Sequence, residues 1–471
     1  MMGVRTVLVR MSLPSHPLPQ LEADSLQGTA HFLRAIQALG QQQNLVLRDA
    51  IYTANGVRLA DKGMRIDAVL YDKLVNERLR LPIDDLLEIR DRVDVPTLEA
   101  EAMTLCESAA LPRLLMQALG PRQQWRLLAP LADMAWPAQA CFKLTVMRSQ
   151  RPQLYEHSLC MMLVAVFLGV RESLDDTQLA QLAAAALLHD VGMLFMEPSW
   201  ADPQHKLTPE ERRQLAVHSI TAMLVVRSTA AYPAAVELAV LEHHERMDGS
   251  GYPRNITGEQ ISPLGRILMV AEVVAAFFEK YAGDRPAMRL SLMLRLNRER
   301  FDTRLIEHVH LLLQPALERE PRMAAEGEMQ PMAAEVRHSL VMLTMLIDHW
   351  KRRSAQLPEK WQLLPSGRAG LFLDVRVAGL EAALAEAGSL PKQQMAVLHL
   401  MKRDATMLSE QAVINREALW QLETFIHTCL RRWPKVAQQG DAVAQAVMDW
   451  INQAQSVLAG KRPGGRPAFF G

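Results

Sequence analysis

Cysteine is scarce in this chain: Cys106, Cys141, Cys160 and Cys429 are scattered over 471 residues with no CxxC pair. That excludes a disulfide framework and a thiolate zinc site, and reduced thiols place the chain in the cytoplasm. Net charge is also lacking. Lys and Arg total 52, as do Asp and Glu, so no summed positive field exists to grip a long nucleic acid. No run of about 18 consecutive apolar residues occurs, so no membrane span is expected; the most apolar window, 158–170, is too short to cross a bilayer. The opening MMGVRTVLVR is interrupted by Arg5 and Arg10 and reads as a strand, not as a signal peptide. Disorder is excluded as well, because 49% of the residues are hydrophobic and only 22% charged.

At roughly 150 residues per domain the length suggests about three domains. Residues 1–95 form a small mixed region, in which Asn55-Gly56 between two strand-like runs predicts a type I′ hairpin. A helical pattern follows over 66–79. Residues 96–138 read as a helical linker broken at Gly120-Pro121 and Trp136-Pro137. Residues 139–315 are helical almost throughout. Thr208, Pro209, Glu210 and Glu211 together give a strong helix start. Residues 316–471 are again helical, with a break at Leu364-Pro365-Ser366-Gly367 and a loose Gly/Pro-rich tail. Their apolar stripes, such as SLVMLTMLIDHW, read as core, or as a contact surface for a protein partner or a second copy. His338, His349, His399 and His427 lack ligand spacing and read as structural.

Five of the fourteen histidines form a series: His157, His189, His218, His243 and His244, with Asp190, Asp248 and Glu272 interleaved. One such histidine would be unremarked. Adjacent His-Asp and His-His pairs in apolar helical runs are costly to bury without a common partner. Imidazole and carboxylate suit divalent iron or manganese, and one carboxylate has lone pairs enough to bridge two ions. A two-metal site of that kind suits phosphodiester hydrolysis.

The strings LLHDVGM, HSITAMLVV, LEHHERMDGSGYP and GRILMVAEVV, with DRPA at 284–287 and RFD at 300–302, stand in the order of the HD-GYP branch of the HD superfamily. The chain resembles that family from about Gln139 to Leu313. The resemblance implies a mainly α fold: an all-helical HD-type metal-binding domain between a small mixed α/β N-terminal region and a helical C-terminal region. It implies two divalent ions and hydrolysis of cyclic di-GMP to the linear dinucleotide or GMP in bacterial second-messenger signalling. His157, His189, Asp190 and Glu272 would hold one ion. Asp190 would bridge to a second held by His218, His243 and His244. A glutamate one turn before the first histidine accompanies a third ion; here that position is Gln153. Gly249, Gly251, Tyr252 and Pro253 form the signature loop. Gly251, Tyr252, Pro253 and Arg285 are its expected substrate contacts.

The chain departs from the family pattern at several positions. Met193 stands where the family has a lysine, Glu272 where it has aspartate, Ala275 where a second aspartate follows, and Met288 where a basic residue is expected, with Arg289 beside it. About four extra residues separate Glu272 from Asp284-Arg285. Arg254 and Arg266 are further cations nearby. Every metal position keeps a chemically suitable side chain while substrate-binding charge is thinned. Three readings stay open: a cyclic di-GMP phosphodiesterase, a regulatory or scaffold protein with a degenerate site, and a phosphohydrolase acting on another nucleotide.

Overall fold

The computed structural model describes residues 21–42, 45–89, 91–202, 205, 207–283, 285–319, 329–402 and 404–459. The strand expected over the first ten residues, the tail over 460–471 and Asp284 of the DRPA string lie outside them. The described residues divide into two compact units. One runs to Arg92 and includes Met193–Asp202; the other holds Val93–Gly192 and the chain from Pro203 onward.

The first unit contains, in order, α1 (Leu21–Gln42), β1 (Val46–Leu47), β2 (Ile51–Tyr52), β3 (Arg58–Ala60), α2 (Ala68–Asn76) and β4 (Leu87–Glu88). Phe32, Ile36 and Leu39 recur at helical spacing on α1 and are buried. β1 pairs antiparallel with β4, and β2 with β3. The expected hairpin at Asn55-Gly56 therefore forms. Its turn is not type I′, because Gly56 has φ 82° while Asn55 is absent from the positive-φ residues. The amides of Gly56 and Val57 respectively donate to the Thr53 carbonyl and hydroxyl, at 2.9 and 3.0 Å, and close the loop without a left-handed asparagine. Asp67 caps α2 through the Leu70 amide, which starts that helix two residues later than the periodicity predicts.

The second unit is helical: α3 (Val95–Ser108), α4 (Ala110–Leu119), α5 (Ala138–Gln150), α6 (Pro152–Arg171), α7 (Asp176–Leu188), α8 (Pro209–Leu215), α9 (His218–Ser228), α10 (Ala234–Glu242), α11 (Pro263–Lys280), α12 (Pro286–Leu296) and α13 (Thr303–Arg319). The breaks at Gly120 and Pro137 fall where the sequence puts them, between α4 and α5. At α8, Thr208 and Glu211 make a reciprocal capping box. α6 packs on α7 and α11, and α10 on α7, α9 and α11. This bundle is the scaffold of the histidine series. By length and composition, two stretches, Pro152–Arg171 and Asp176–Phe195, are apolar enough to cross a membrane. Their most apolar windows are 83% and 78% buried, the mark of core helices.

α14 (Met329–Ser354), α15 (Gly367–Glu386), α16 (Pro391–Met401), α17 (Ala405–Arg432) and α18 (Ala442–Ala459) complete the unit. Leu343, Leu346, Ile347 and Trp350 repeat at helical spacing on α14 and are buried, while Val341 and Met345 are exposed. The stripe read from the sequence is thus largely core. Trp350 and Trp450 meet edge to face at 6.1 Å. Their indole N–H groups donate to Asp374 and to the Leu346 carbonyl, so two large rings are buried with no unmet donor.

Candidate metal centre

Three of the five histidines sit where a helix has spare carbonyls. His189 and His243 immediately follow the last residues of α7 and α10, and His218 follows α8 at the first position of α9. The last carbonyls of a helix have no intrahelical donor. The Nδ1–H of His189 donates to Ala186 O at 2.7 Å, that of His218 to Leu215 O at 2.6 Å and that of His243 to Val240 O at 2.6 Å. Each bond fixes the tautomer and leaves Nε2 as a bare lone pair. The carbonyl ends of α7 and α10 also carry the negative pole of the helix dipole, which favours a cation.

These lone pairs converge. His157, His189 and Glu272 form one donor set; Asp190, His218, His243 and His244 form a second, with the ligand atoms of each set within 4.8 Å of one another. Asp190 joins them. Its Oδ2 is 3.3 Å from His189 Nε2, and its Oδ1 is 3.3 Å from His218 Nε2 and 3.8 Å from His243 Nε2. Glu272 Oε2 is 2.9 Å from His157 Nε2 and 3.5 Å from His189 Nε2. The structure thus brings all seven sequence-predicted ligands together in two adjoining sets.

The donor set fits divalent ions on two observations. His189 Nε2 is fully buried and has no hydrogen-bond partner. His218 Nε2 and His243 Nε2 face each other at 3.3 Å. Bonds of roughly 2.0–2.2 Å to a shared ion would leave two nitrogens about 3–3.5 Å apart.

Electrostatics agree with that grouping. For Asp190, burial opposes ionisation, yet His189 and His218 hold its carboxyl well below the usual range. Glu272, likewise buried, is pulled down to about 2 by His157 and then His189. Burial pushes His243 down to about 3, helped by His189 and His218, and pushes His244 well below its ordinary value, helped by His243. Two carboxylates are thus ionised and two imidazoles neutral, the protonation states metal binding needs. His157 and His218 go the other way: burial disfavours their charge, but Glu272 and Glu279 outweigh burial and raise His157, and Asp190 outweighs it and raises His218.

Glu279 is a partner that sequence reasoning missed. Its two oxygens lie 2.9 and 3.0 Å from His157 Nδ1, so His157 bridges Glu272 and Glu279. Seven residues, two helical turns, separate the two glutamates on α11, which puts them on one face. That spacing was the available signal.

The signature loop packs on the second donor set. The Tyr252 amide donates to His244 O at 3.1 Å, and its ring stacks on the His244 imidazole at 4.7 Å. The Tyr252–Pro253 peptide is cis. Gly249 adopts φ 72°. Gly251 does not need positive φ; a Cβ there would come within 2.4 Å of Glu245 backbone atoms and of the Arg246 amide. Close backbone approach, not left-handed freedom, is its reason. Glu242 and Glu245 flank the His-His pair and tie the far side of the loop: Glu245 Oε1 accepts from the Arg254 amide at 2.7 Å, and Glu242 pairs with the Arg254 guanidinium.

Two of the expected cations have carboxylate partners outside the donor sets. Arg254 is held by Glu242, and Arg266 pairs with Asp302 at 3.5 Å. Arg285 has φ 48° at the N-terminal cap of α12 and makes no ion pair with Asp190 or Glu272 among the described residues. Met193 and Met288 are buried, and Gln153 is exposed.

Residues 144–305, which include all seven clustered side chains, match the family model of the HD domain. Among curated proteins, the chain is similar to 3'3'-cGAMP-specific phosphodiesterase 3 of Vibrio cholerae, with 29% identity over 148 residues, 31% of this chain and 31% of that protein. It is similar to the cyclic di-GMP phosphodiesterase PdeB of Borreliella burgdorferi, with 31% identity over 120 residues, 26% of this chain and 31% of that one. It is also similar to the cyclic di-GMP phosphodiesterase response regulator RpfG of Xanthomonas campestris, with 36% identity over 115 residues, 24% of this chain and 29% of that one. The chain thus spans under a third of the length of these relatives. With the HD match lying over the cluster and these relatives aligned to part of the chain, this protein carries a helical HD-type domain over residues 144–305.

Proposed function

We propose that the chain is a cytoplasmic, metal-dependent phosphodiesterase that hydrolyses cyclic di-GMP in second-messenger signalling. The observation that carries this reading is Asp190, whose two oxygens face two separate donor sets. His157, His189, Asp190 and Glu272 would hold one divalent ion, and Asp190, His218, His243 and His244 a second, iron or manganese by donor type. Such a pair supplies Lewis acidity and an activated water for in-line displacement at phosphorus. The chain's own part is to keep Nε2 lone pairs aimed inward, through the carbonyl bonds to Nδ1, and both carboxylates ionised. Tyr252, stacked on His244, is set to meet a phosphate or base of the substrate. Gly251 and Pro253 hold its backbone, and Arg285 is the proposed phosphate contact. The domain plan proposed with it keeps 1–95, 96–138, 139–315 and 316–471 as separate regions. Exposed apolar side chains in the C-terminal region, such as Leu363 and Val375, are the proposed surface for a protein partner or a second copy.

A second reading is favoured by one observation: Arg254 and Arg266 are paired away from the donor sets, and buried Met193 stands where the resemblance expects a lysine. On that reading the domain binds metal or nucleotide without turnover, as a regulator or scaffold. The relatives named for 3'3'-cGAMP also make a mixed cyclic dinucleotide an alternative substrate. One experiment separates these. The protein is purified anaerobically, its metal content measured, and cyclic di-GMP and 3'3'-cGAMP are followed by chromatography beside Asp190→Ala. Metal with turnover that Asp190→Ala abolishes supports the enzyme, and the faster substrate names itself. Metal without turnover of either dinucleotide leaves the regulatory reading, and absence of metal removes the site.

A further inference from the structure

The signature loop has a second side, turned away from the histidines. Asp248 Oδ2 lies 2.6 Å from Arg376 Nη1 on α15, and both side chains are largely buried, at 8% and 15% exposure. The next residue's carbonyl, Gly249 O, accepts from Arg432 Nη2 on α17 at 2.6 Å. The Met247 amide donates to Arg300 O at 3.0 Å. Both guanidiniums lie over the Phe372 ring, at 5.6 Å for Arg376 and 5.8 Å for Arg432, so an aromatic face restrains their planes. α15 and α17 belong to the C-terminal helical region, for which the HD-type domain by itself gives no reason.

We propose that Arg376 and Arg432 are positioning residues: two C-terminal helices grip Asp248 and Gly249, and so hold Tyr252 in place on His244. Three residues separate Asp248 from Tyr252, too short a tether for one end to move while the other stays stacked. The grip combines a buried pair of charged groups with a charge-assisted bond to a backbone carbonyl, the stronger classes of hydrogen bond. Asp248, desolvated by burial, keeps its charge because Arg376 and Arg300 face it. Removing Arg376 would leave a buried carboxylate poorly compensated, and the loop would open to hydrate it. The consequence for the reaction rests on the phosphodiesterase reading; the mechanical coupling does not.

The test uses the full chain with Arg376→Ala, Arg376→Lys and Arg432→Ala, and reads hydrogen exchange by mass spectrometry. Exchange over 247–257 is expected to quicken roughly 10- to 100-fold in Arg376→Ala, the range of a buried charged hydrogen bond, and less in Arg432→Ala. Arg376→Lys restores most of the protection, and exchange over 158–187 stays unchanged. Loop exchange that does not move overturns the proposal, as does an equal rise over 158–187, which marks general destabilisation. In the metal-loaded protein, KM for cyclic di-GMP is expected to rise about fivefold or more in Arg376→Ala while kcat stays within about twofold. An unchanged KM beside a loosened loop overturns the positioning role. If the unaltered protein turns over no cyclic dinucleotide, the phosphodiesterase reading fails and the exchange result alone decides this one.

Discussion

His218 Nε2 and His243 Nε2 face each other at 3.3 Å, each with its Nδ1 tied to a backbone carbonyl of the preceding helical turn. Two imidazole lone pairs held together repel unless a proton or a cation lies between them. Burial and neighbouring imidazoles push His243 down to about 3, while Asp190 raises His218 against burial, so the pair accommodates either a proton on His218 or a shared divalent cation. Asp190 offers this pair Oδ1 and turns Oδ2 to His189. Asp190→Ala therefore weakens both donor sets at once. Its affinity for Mn2+ is expected to fall by more than about 100-fold, beyond the 10- to 100-fold typical of outer-shell changes. Calorimetric titration checks this, and one set binding normally would contradict the shared role.

Glu279 acts one step further out. It accepts from His157 Nδ1, which turns Nε2 toward Glu272 in the carboxylate–histidine arrangement common at metal centres. Glu279→Gln keeps the shape and removes the charge. It is expected to lower metal affinity about 10- to 100-fold through the first donor set only. Competition against a chromogenic chelator would reveal one weakened and one unaltered class of site. Two unaltered classes would remove Glu279 from the centre.

Gly251 has no room for a side chain, since a Cβ would sit 2.4 Å from backbone atoms of Glu245 and Arg246. Gly251→Ala must push the loop off the His-His turn, and with it Tyr252. Overpacking of this kind costs about 1–3 kcal/mol. Urea unfolding at neutral pH measures it. A shift under about 0.5 kcal/mol, the range of neutral surface changes, would show that the loop yields freely.

The helical character of the domain was legible because its signal is local, whereas the set of seven ligands was implied by the family resemblance. Apolar periodicity marks α6, α7 and α11, and the His-Asp and His-His pairs stand out within it. The features that were not legible depend on long-range contacts. Glu279 meets His157 across 122 residues, Arg376 meets Asp248 across 128, and the Gly249 carbonyl meets Arg432 across 183. An arginine on an amphipathic helix looks the same in sequence whether it faces solvent or a loop. The hairpin at Asn55-Gly56 was found but its turn misassigned, because Asn-Gly is compatible with more than one turn and the Thr53 hydroxyl, bonding the Val57 amide, sets the geometry.

The pair of Asp248 and Arg376 carries a pH signature of fixed sign. Burial raises the Asp248 carboxyl, but Arg376 and Arg300 prevail and hold it below the ordinary 3.8. A carboxylate with a depressed folded-state value binds fewer protons folded than unfolded near that value, so it stabilises the fold above 3.8 and loses that contribution as pH falls through its own lower value. Asp248→Asn removes the titrating group while keeping the shape. The unaltered chain is therefore expected to be the more stable at pH 6, with a difference from Asp248→Asn that is flat down to about pH 4.5 and shrinks below about pH 4. Paired urea titrations across that range check the sign. A difference that grows on acidification would mean that Asp248 is protonated in the folded loop and that Arg376 holds it by shape, not charge.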